Sequence, residues 1–406
     1  MRNKLEKVLV VFSDDGLGGT SRSALTSCDS WLSLGYGVAI YAAKGVAESR
    51  QAAFESKGAM LGHLSAVHWS EIKVVHFHYS SYSAGQQAAI DALIESVSTY
   101  SGPPPILIVN NIFAIPDNAF NRWPGRWCTT VLGRWAAVQY GLSSLGLGSI
   151  PFVVGNGQDA EFFRPPSTIE RMEARLALGI NDNERVVLRI GSPHEGKWSQ
   201  SYLALADACA EVGSTLILVG APVSLQLALR NRASCRLINR VDDDTHLRDF
   251  YWASDCFALD AQRGESFGNV ILEALCTGLP VVYRAREFRD NTPWEFRSIQ
   301  GFSYTRSKQA FIREVIDVHL ANSALNDRAF DVAHSSISDR YSVSAVSQIL
   351  GSIVSQIKSH PRDGKISGAP HSNISVLQLG KVSVLHNPII SCLKQIRLKV
   401  RGKWRF

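Results

Sequence analysis

No stretch of the chain approaches the ~18 consecutive apolar residues that a membrane-spanning helix needs, so no transmembrane segment is expected. No CxxC pair occurs either, and the seven cysteines are scattered at 28, 128, 209, 235, 256, 276 and 392. An odd, dispersed set lying mostly inside apolar segments argues against a disulfide scaffold and a cysteine metal site. It fits reduced, buried thiols in a cytoplasmic protein. A secretory leader is not expected either. The N-terminal MRNKLEKVLVVF is followed by Asp14, Asp15 and glycines where a small-residue cleavage site would be needed, and reads as a buried first strand. Short-period repeats and low-complexity blocks are absent.

What is present is globular material, 45% hydrophobic and 19% charged, and 406 residues are enough for two cores. The net charge of +6 is unevenly placed. From Pro361 onward nine Lys/Arg face one Asp, a net +8, so the preceding 360 residues carry −2. A near-neutral body with a cationic tail does not suit a general nucleic-acid reader, which carries its charge on its domains.

Short apolar runs alternate with helical patterns. VLVVF, GVAIYAA, VVHFH and ILIVN read as buried parallel strands in the first half, and VVLRI, TLILVG, CRLIN, CFALD and PVVY in the second. Thr20–Leu34 reads as an amphipathic helix with Ala24, Leu25, Cys28, Trp31 and Leu32 on its apolar face and Gly35 as its stop. The alternation predicts open, doubly wound α/β sheets, and its doubling predicts two of them. The expected division is an N-terminal domain over 1–160, a linker over 161–182 and a C-terminal domain over 183–335. A helix over 336–359 and a basic tail over 360–406 complete it.

The segment Gly264–Tyr283, GESFGNVILEALCTGLPVVY, is the richest in chemistry. It follows the run CFALD, which puts Glu265, Ser266, Phe267 and Gly268 in a loop at a strand's carboxyl end, the ligand edge of such a sheet. Gly268 lets a ligand approach the backbone, and Asn269 is expected to cap the helix that follows. The helix runs to about Thr277 and Gly278 ends it. Its N-terminal N–H groups and dipole suit a diphosphate. Glu265 and Glu273 can face one crevice and accept hydrogen bonds from sugar hydroxyls. Taken alone, two acids at this spacing are more often solvated residues of a surface helix. Here they bracket F-G-N and precede E-A-x-x-x-G-x-P-V-V.

This segment resembles the signature of glycosyltransferase family 4, the group 1 glycosyltransferases, in which E-x-F-G-x-x-x-x-E-A-x-x-x-G-x-P-V-V recurs. The resemblance runs over roughly residues 8 to 355. It implies the GT-B fold, two Rossmann-like domains facing a central cleft, with a nucleotide sugar held chiefly by the second domain and the acceptor by the first. Carried over, Glu273 would grip the ribose hydroxyls and Glu265 the transferring sugar. The backbone of Phe267, Gly268, Asn269 and Val270 would lie along the sugar and diphosphate. Gly16-Leu17-Gly18-Gly19 matches the family's glycine loop, placing Gly18 and Gly19 near the donor phosphates. NGQDAEFFRP at 156–165 matches the family's crossover between domains.

In VLRIGSPHEGKWS, residues 187–199, Lys197 fits the cation that the family sets on the diphosphate. Arg189 is the preferred companion, because Ser192 stands where the commoner pattern has Arg. REFRDNTPWEF, residues 286–296, replaces the family's Gly-Gly-x-x-E loop, with Glu295 at the closing acid. Arg289, Asp290 and Asn291 either line the cleft or cap the next helix. His76 and His78 share a strand face where the family shows H-x-H, and His78 is carried over as catalytic. A metal is not expected, since no third ligand is evident, and a packed pair is the bland alternative. Asn110-Asn111 stands where many members place a His, and Asn cannot act as a base near neutral pH.

The resemblance thus implies a retaining glycosyltransferase. It would move a sugar from a nucleotide diphosphate donor, the co-substrate, to a glycan or lipid-linked acceptor in polysaccharide or glycolipid assembly, with no cofactor. A silent nucleotide-sugar-binding module and a nucleotide-sugar epimerase are the rivals. In the tail, Ile389, Leu393, Ile396 and Val400 would share one face of a helix opposite several cations. This suits peripheral binding to anionic lipid on the cytoplasmic face. A disordered terminus or a strand-like packing segment accounts for the same residues equally well.

Overall fold

The computed structural model describes residues 5–13, 18–79, 84–112, 114, 118–143, 151–286, 290–321 and 327–359. The chain divides into two compact units. One holds residues up to Gly157 and from Val346 onward, the other Gln158–Ala345.

The first unit is built on a parallel sheet of β1 (Lys7–Phe12), β2 (Gly37–Ala42), β3 (Ala59–Met60), β4 (Ile72–Tyr79), β5 (Ile106–Asn111), β6 (Trp127–Val131) and β7 (Phe152–Val153). Their order is β3-β2-β1-β4-β5-β6-β7. The order turns back at β1, between β2 and β4, which is where an open α/β sheet forms its crevice. Its helices are α1 (Gly19–Ser33), α2 (Glu48–Glu55), α3 (Ala84–Ser98) and α4 (Arg134–Ser143). Helix α1 ends as expected, with Gly35 at φ +81°, a conformation that favours glycine. Ala24, Cys28 and Trp31 are buried on its inner face, but Leu32 is turned outward at 39% exposure.

The second unit has a parallel sheet of β8 (Arg185–Ile190), β9 (Ser214–Val219), β10 (Cys235–Ile238), β11 (Cys256–Leu259), β12 (Val281–Arg284) and β13 (Phe302–Thr305). The order is β10-β9-β8-β11-β12-β13. With it go α5 (Thr168–Ala177), α6 (Ser201–Glu211), α7 (Val223–Leu229), α8 (Asp244–Ala253), α9 (Asn269–Cys276), α10 (Thr292–Phe296), α11 (Lys308–Ala321) and α12 (Asp327–Tyr341). Helix α5 opens with a capping box, Ser167 and Glu170 each bonding the other's backbone N–H. It is tied down by two arginines. Arg171 reaches the Trp252 and Ser254 carbonyls at 2.6 and 2.8 Å, and Arg175 the Ala253 carbonyl at 2.6 Å.

Helix α13 (Val343–Ser359) returns to the first unit. Its buried face, Val346, Leu350, Ile353, Val354 and Ile357, joins Val8, Val10 and Phe12 of β1 and Trp31 of α1 in one core. The sequence pattern placed one helix over 336–359 and assigned it to neither sheet, whereas α12 ends at Tyr341 and α13 begins at Val343. Strands β3, β6, β7 and β13 and helix α12 carry no periodic signal that singled them out. β3 and β7 have two residues each, and β6 (WCTTV) mixes polar residues into a buried strand.

Free cysteines 28, 128, 209, 235, 256 and 276 all lie in the interior or partly so, and burial pushes the Cys209, Cys235 and Cys276 thiols up to about 12. They are therefore protonated, inert packing residues. Cys392 and the tail residues Ile389, Leu393, Ile396 and Val400 lie outside the described residues. So do Gly16, Leu17 and Arg289.

The core of the first unit contains a polar joint. The Trp31 indole N–H donates to His76 Nδ1 at 3.1 Å, with the rings edge to face. Trp31→Phe keeps most of the packing and removes the donor, leaving a buried imidazole nitrogen unpaired. Such a loss costs about 1–3 kcal/mol, which a lower urea midpoint at unchanged slope would register.

Candidate functional site

In the second unit, two loops at the carboxyl edge of the sheet meet. The first leaves β8 and closes through a single 3-10 turn, Glu195–Lys197. Two bonds close it: the Gly196 N–H donates to His194 Nδ1 at 3.2 Å and the Lys197 N–H to the His194 carbonyl at 2.8 Å. Arg189 props it from below. This side chain is buried, stacks over the Trp198 ring at 4.8 Å, and donates to the Ile190 carbonyl and, at 2.8 Å, to the Lys197 carbonyl. Arg189 thus lies beside Lys197, but two of its donors hold the loop's own backbone.

The second loop leaves β11. The Arg263 N–H donates to the Gly196 carbonyl at 3.1 Å, joining the two loops. Gly196 permits this approach, because a Cβ there would stand 3.0 Å from Arg263 Cδ. The contact brings Lys197 Nζ to 2.6 Å from Glu265 Oε2. The lysine side chain is 42% exposed and the glutamate 8%, so the ammonium faces solvent while the carboxylate is sheltered behind it. Sixty-eight positions of chain separate the two. The parallel sheet brings them together, because β8 and β11 are neighbours.

From Glu265 the chain turns into α9 through Gly268, at φ +90°. Gly268 is the residue before the helix, and no side chain caps it. Asn269, expected as the cap, is instead the first helical residue. The reason is the left-handed turn at 268, which only glycine takes cheaply; a Cβ there would also stand 2.9 Å from Ile271 Cδ1. An uncapped helix start leaves the positive end of the dipole to the surroundings. Phe267 is buried, while Asn269 and Val270 are half-buried at this start. Glu273 sits in the second turn, buried, its Oε2 accepting from the Tyr251 hydroxyl at 2.7 Å.

Beneath the loops lies a polar layer that motif reading missed. Asp260, fully buried just after β11, accepts from Ser201 Oγ at 2.5 Å and pairs with Arg284 at 2.9 Å and with Arg286. The Tyr283 hydroxyl donates to Asp290 Oδ2 at 2.7 Å and accepts the Glu265 N–H at 3.2 Å. Of the open readings of Asp290 and Asn291, the structure buries both and places Asn291 just before α10 without a side-chain cap bond. Glu295 is buried as well, accepting from the Tyr341 hydroxyl at 2.7 Å. Nothing in a one-dimensional motif links Tyr251 to Glu273 or Tyr283 to Glu265. The only available signals were an acid closing CFALD and a tyrosine closing PVVY.

In the first unit, His78 is the penultimate residue of β4, opposite Asn110 of β5. The Asn110 amide nitrogen lies 3.3 Å from His78 Nδ1, while His78 Nε2 and Asn110 Oδ1 are buried without a hydrogen-bond partner. His76 and His78 are packed ring on ring, centroids 4.4 Å apart. Burial lowers the pKa of His76 to about 3 and that of His78 well below its ordinary value, with His76 adding to the second shift. Both imidazoles are neutral at physiological pH. Among the described residues no group of three His, Cys, Asp or Glu is placed to hold a metal ion. Gly18 and Gly19 stand at the start of α1, where the Gly18 carbonyl accepts from Ser21 Oγ at 2.8 Å.

Residues 184–316 match the family model for glycosyl transferases of group 1, a span that includes every donor-side candidate of the second unit. This stretch of the chain is similar to the group 1 glycosyl transferases. Over 140 residues the chain is 31% identical to the lipopolysaccharide core biosynthesis mannosyltransferase LpsB of Rhizobium meliloti, covering 32% of this chain and 39% of that protein. The match thus spans about two fifths of the curated relative's length.

Solved structures match more of the chain. A glycosyltransferase from Rickettsia africae superposes with a TM-score of 0.66 at 12% identity, covering 88% of this chain and all of that one. HepE of Anabaena, solved with UDP and glucose, gives 0.64 at 16% identity, covering 86% and 99%. At these identities the likeness shows the fold, which is GT-B: two Rossmann-like units in one chain. Lys197, Glu265, Gly268 and Glu273 all lie in the domain that the family match covers.

Asp290 gives that domain a pH signature. Burial raises its carboxyl from 3.8 to about 7, outweighing the hydrogen bonds that it accepts from the Arg286 N–H, the Tyr283 hydroxyl and the Thr292 N–H. Between pH 4 and 7 the folded chain therefore binds more protons here than the unfolded chain. The resulting stability is fully present below about pH 4 and is lost as pH rises through about 7. The melting temperature of Asp290→Asn relative to wild type should consequently climb across that window. A constant difference would place the ionisation elsewhere.

Proposed function

We propose that the chain is a retaining glycosyltransferase. It moves a glycosyl group from a nucleotide diphosphate sugar to a glycan or lipid-linked acceptor in cell-surface polysaccharide or glycolipid assembly. The observation that carries this reading is the Lys197–Glu265 contact of 2.6 Å beside the uncapped start of α9. It sets a cation, a helix dipole and a sheltered carboxylate where a sugar diphosphate presents an anion next to hydroxyls. An ammonium has three donors, so Lys197 can keep one on Glu265 and still offer two to phosphate oxygens. Glu273, oriented by Tyr251, accepts from the ribose hydroxyls.

The chemistry follows from charge. As the bond between sugar and phosphate lengthens, negative charge grows on the departing diphosphate and positive charge on the sugar. Lys197 and the α9 N–H groups answer the first, and Glu265 lies close to the second. A same-face departure assisted by the leaving group needs no protein nucleophile, metal or cofactor. Arg189 contributes by holding the loop that carries Lys197. In the first unit the neutral His78–Asn110 pair offers hydrogen bonds to an acceptor hydroxyl. The names of LpsB and HepE support this class of product and donor.

A screen of nucleotide sugars by turnover and thermal shift tests the proposal. Turnover excludes a silent binding module, and recovery of an epimerised donor in the absence of acceptor would indicate the epimerase. Lys197→Ala should weaken nucleoside diphosphate binding at least tenfold while leaving the free nucleoside unaffected, because the charge it meets lies on the phosphates. Equal losses for both ligands would put Lys197 outside the diphosphate site.

The placement is cytoplasmic, on the inner face of the membrane. No helix among the described residues is long and apolar enough to cross a membrane. The cationic stretch from Pro361 onward draws the chain to anionic lipid, each Lys or Arg near the surface contributing about 1 kcal/mol. The full chain should sediment with anionic vesicles at low salt, and a chain ending at His371 should remain in solution. Equal behaviour of the two would remove the tail from the proposal.

A further inference from the structure

The position of the Glu265 carboxylate depends on where the loop after β11 holds its backbone, and that is decided by groups outside the loop. Gly264 takes φ +71°, which turns the Glu265 N–H toward the end of β12. There the Tyr283 hydroxyl accepts it at 3.2 Å and donates in turn to Asp290 Oδ2 at 2.7 Å. The same oxygen accepts the Arg286 N–H at 2.7 Å. Thr292, whose N–H reaches Asp290 Oδ1 at 3.3 Å, gives its hydroxyl to the Phe267 carbonyl at 3.3 Å. Both ends of the Glu265–Phe267 stretch therefore hang on one buried frame, formed by Tyr283, Asp290 and Thr292.

These three residues are buried. The Tyr283 ring is held independently of its hydroxyl, stacked with Phe302 at 6.2 Å between centroids. The Arg286 guanidinium is taken up by Asp260 and by the Ala261 carbonyl at 2.9 Å, so only its backbone serves Asp290. The charged group facing Asp290 is Glu265 itself, of like sign, which Lys197 neutralises from the solvent side.

We propose that Tyr283 and Asp290 are positioning residues for Glu265, holding its backbone N–H so that the carboxylate meets Lys197 and the transferring sugar in one fixed geometry. The inference rests on the glycosyl-transfer reading of the same site. Neither residue touches the donor; they act through Glu265. A displacement of about 1 Å at a reacting centre can lower a rate by about 100-fold, so a hydroxyl two bonds removed from the chemistry has leverage on turnover. Ionisation of Asp290 would set a second carboxylate behind Glu265. Turnover should therefore fall as pH rises through about 7, the value to which burial raises Asp290.

The test is Tyr283→Phe in the full chain, which keeps the ring and its stacking and removes only the relay. With a donor that the wild-type chain turns over, kcat should fall about 10- to 100-fold, with KM for the donor within about twofold. Asp290→Asn keeps an acceptor for Tyr283 and should retain most of the turnover while losing the decline above neutral pH. A wild-type kcat in Tyr283→Phe, or a loss shared equally by kcat and nucleoside diphosphate affinity, overturns the proposal. Hydrogen exchange provides a readout that needs no turnover. The Glu265 amide should exchange at least tenfold faster in Tyr283→Phe while the α9 core amides are unchanged. Unchanged exchange at Glu265 overturns the proposal as well. A wild-type chain that turns over no nucleotide sugar counts against the transferase reading alone.

Discussion

A carboxylate withdrawn from water must have its oxygens met by donors, and the second unit is organised around that demand. Asp260, Glu265 and Glu273 all lie on the carboxyl side of the sheet or in the helix that leaves it, and all three are buried. Each is answered differently. Asp260 is held by two arginines and a serine, and belongs to the framework. Glu273 is oriented by one tyrosine hydroxyl. Glu265 is met by a lysine on the solvent side, an interaction that a ligand phosphate can share. Asp260 and Glu273 are enclosed at 0% and 1% exposure, and Glu265, at 7%, lies nearest the solvent.

The same demand explains why the loops are rigid enough for chemistry. Arg189 gives two of its donors to the Ile190 and Lys197 carbonyls and lies over the Trp198 ring, while its Nε is buried without a hydrogen-bond partner. Arg189 therefore fastens the Lys197 turn to β8. The Gly196 carbonyl binds the Arg263 N–H, so the lysine turn and the glutamate loop form one body. Catalysis by charge placement requires such pre-set geometry, because side chains that must reorganise during the reaction give back part of the stabilisation. The first unit meets the demand differently. Its two β4 histidines are neutral, one tied to Trp31 and the other beside Asn110, and so contribute hydrogen bonds rather than charge.

Much of this was legible in the order of residues. Runs such as VLVVF and TLILVG are buried strands because a parallel sheet covered on both faces needs apolar residues at every position. The stops at Gly35 and Gly278 were legible because a helix end in the left-handed region favours glycine. The acids at 265 and 273 and Lys197 were singled out by the family signature around them, because local pattern taken alone favours solvated surface residues at those positions. Asn269 was misread as a cap for a local reason: the turn at Gly268 moved the cap position back by one residue.

The sequence by itself determined the class of fold, two sheets of parallel strands, and the family signature in the loop after β11. It also determined which residue types stand at the carboxyl edge of the second sheet. Tertiary structure alone decided that Lys197 and Glu265 touch, that Arg189 turns inward to brace its loop, and that α13 completes the first unit's core. It alone decided as well that Tyr283 joins Glu265 to Asp290. The physical reason is the reach of the two kinds of information. Periodicity and capping act within a few residues, where backbone geometry dictates the partner. Burial and hydrogen-bond satisfaction are settled across neighbouring strands, where residues dozens of positions apart are brought within 3 Å of one another.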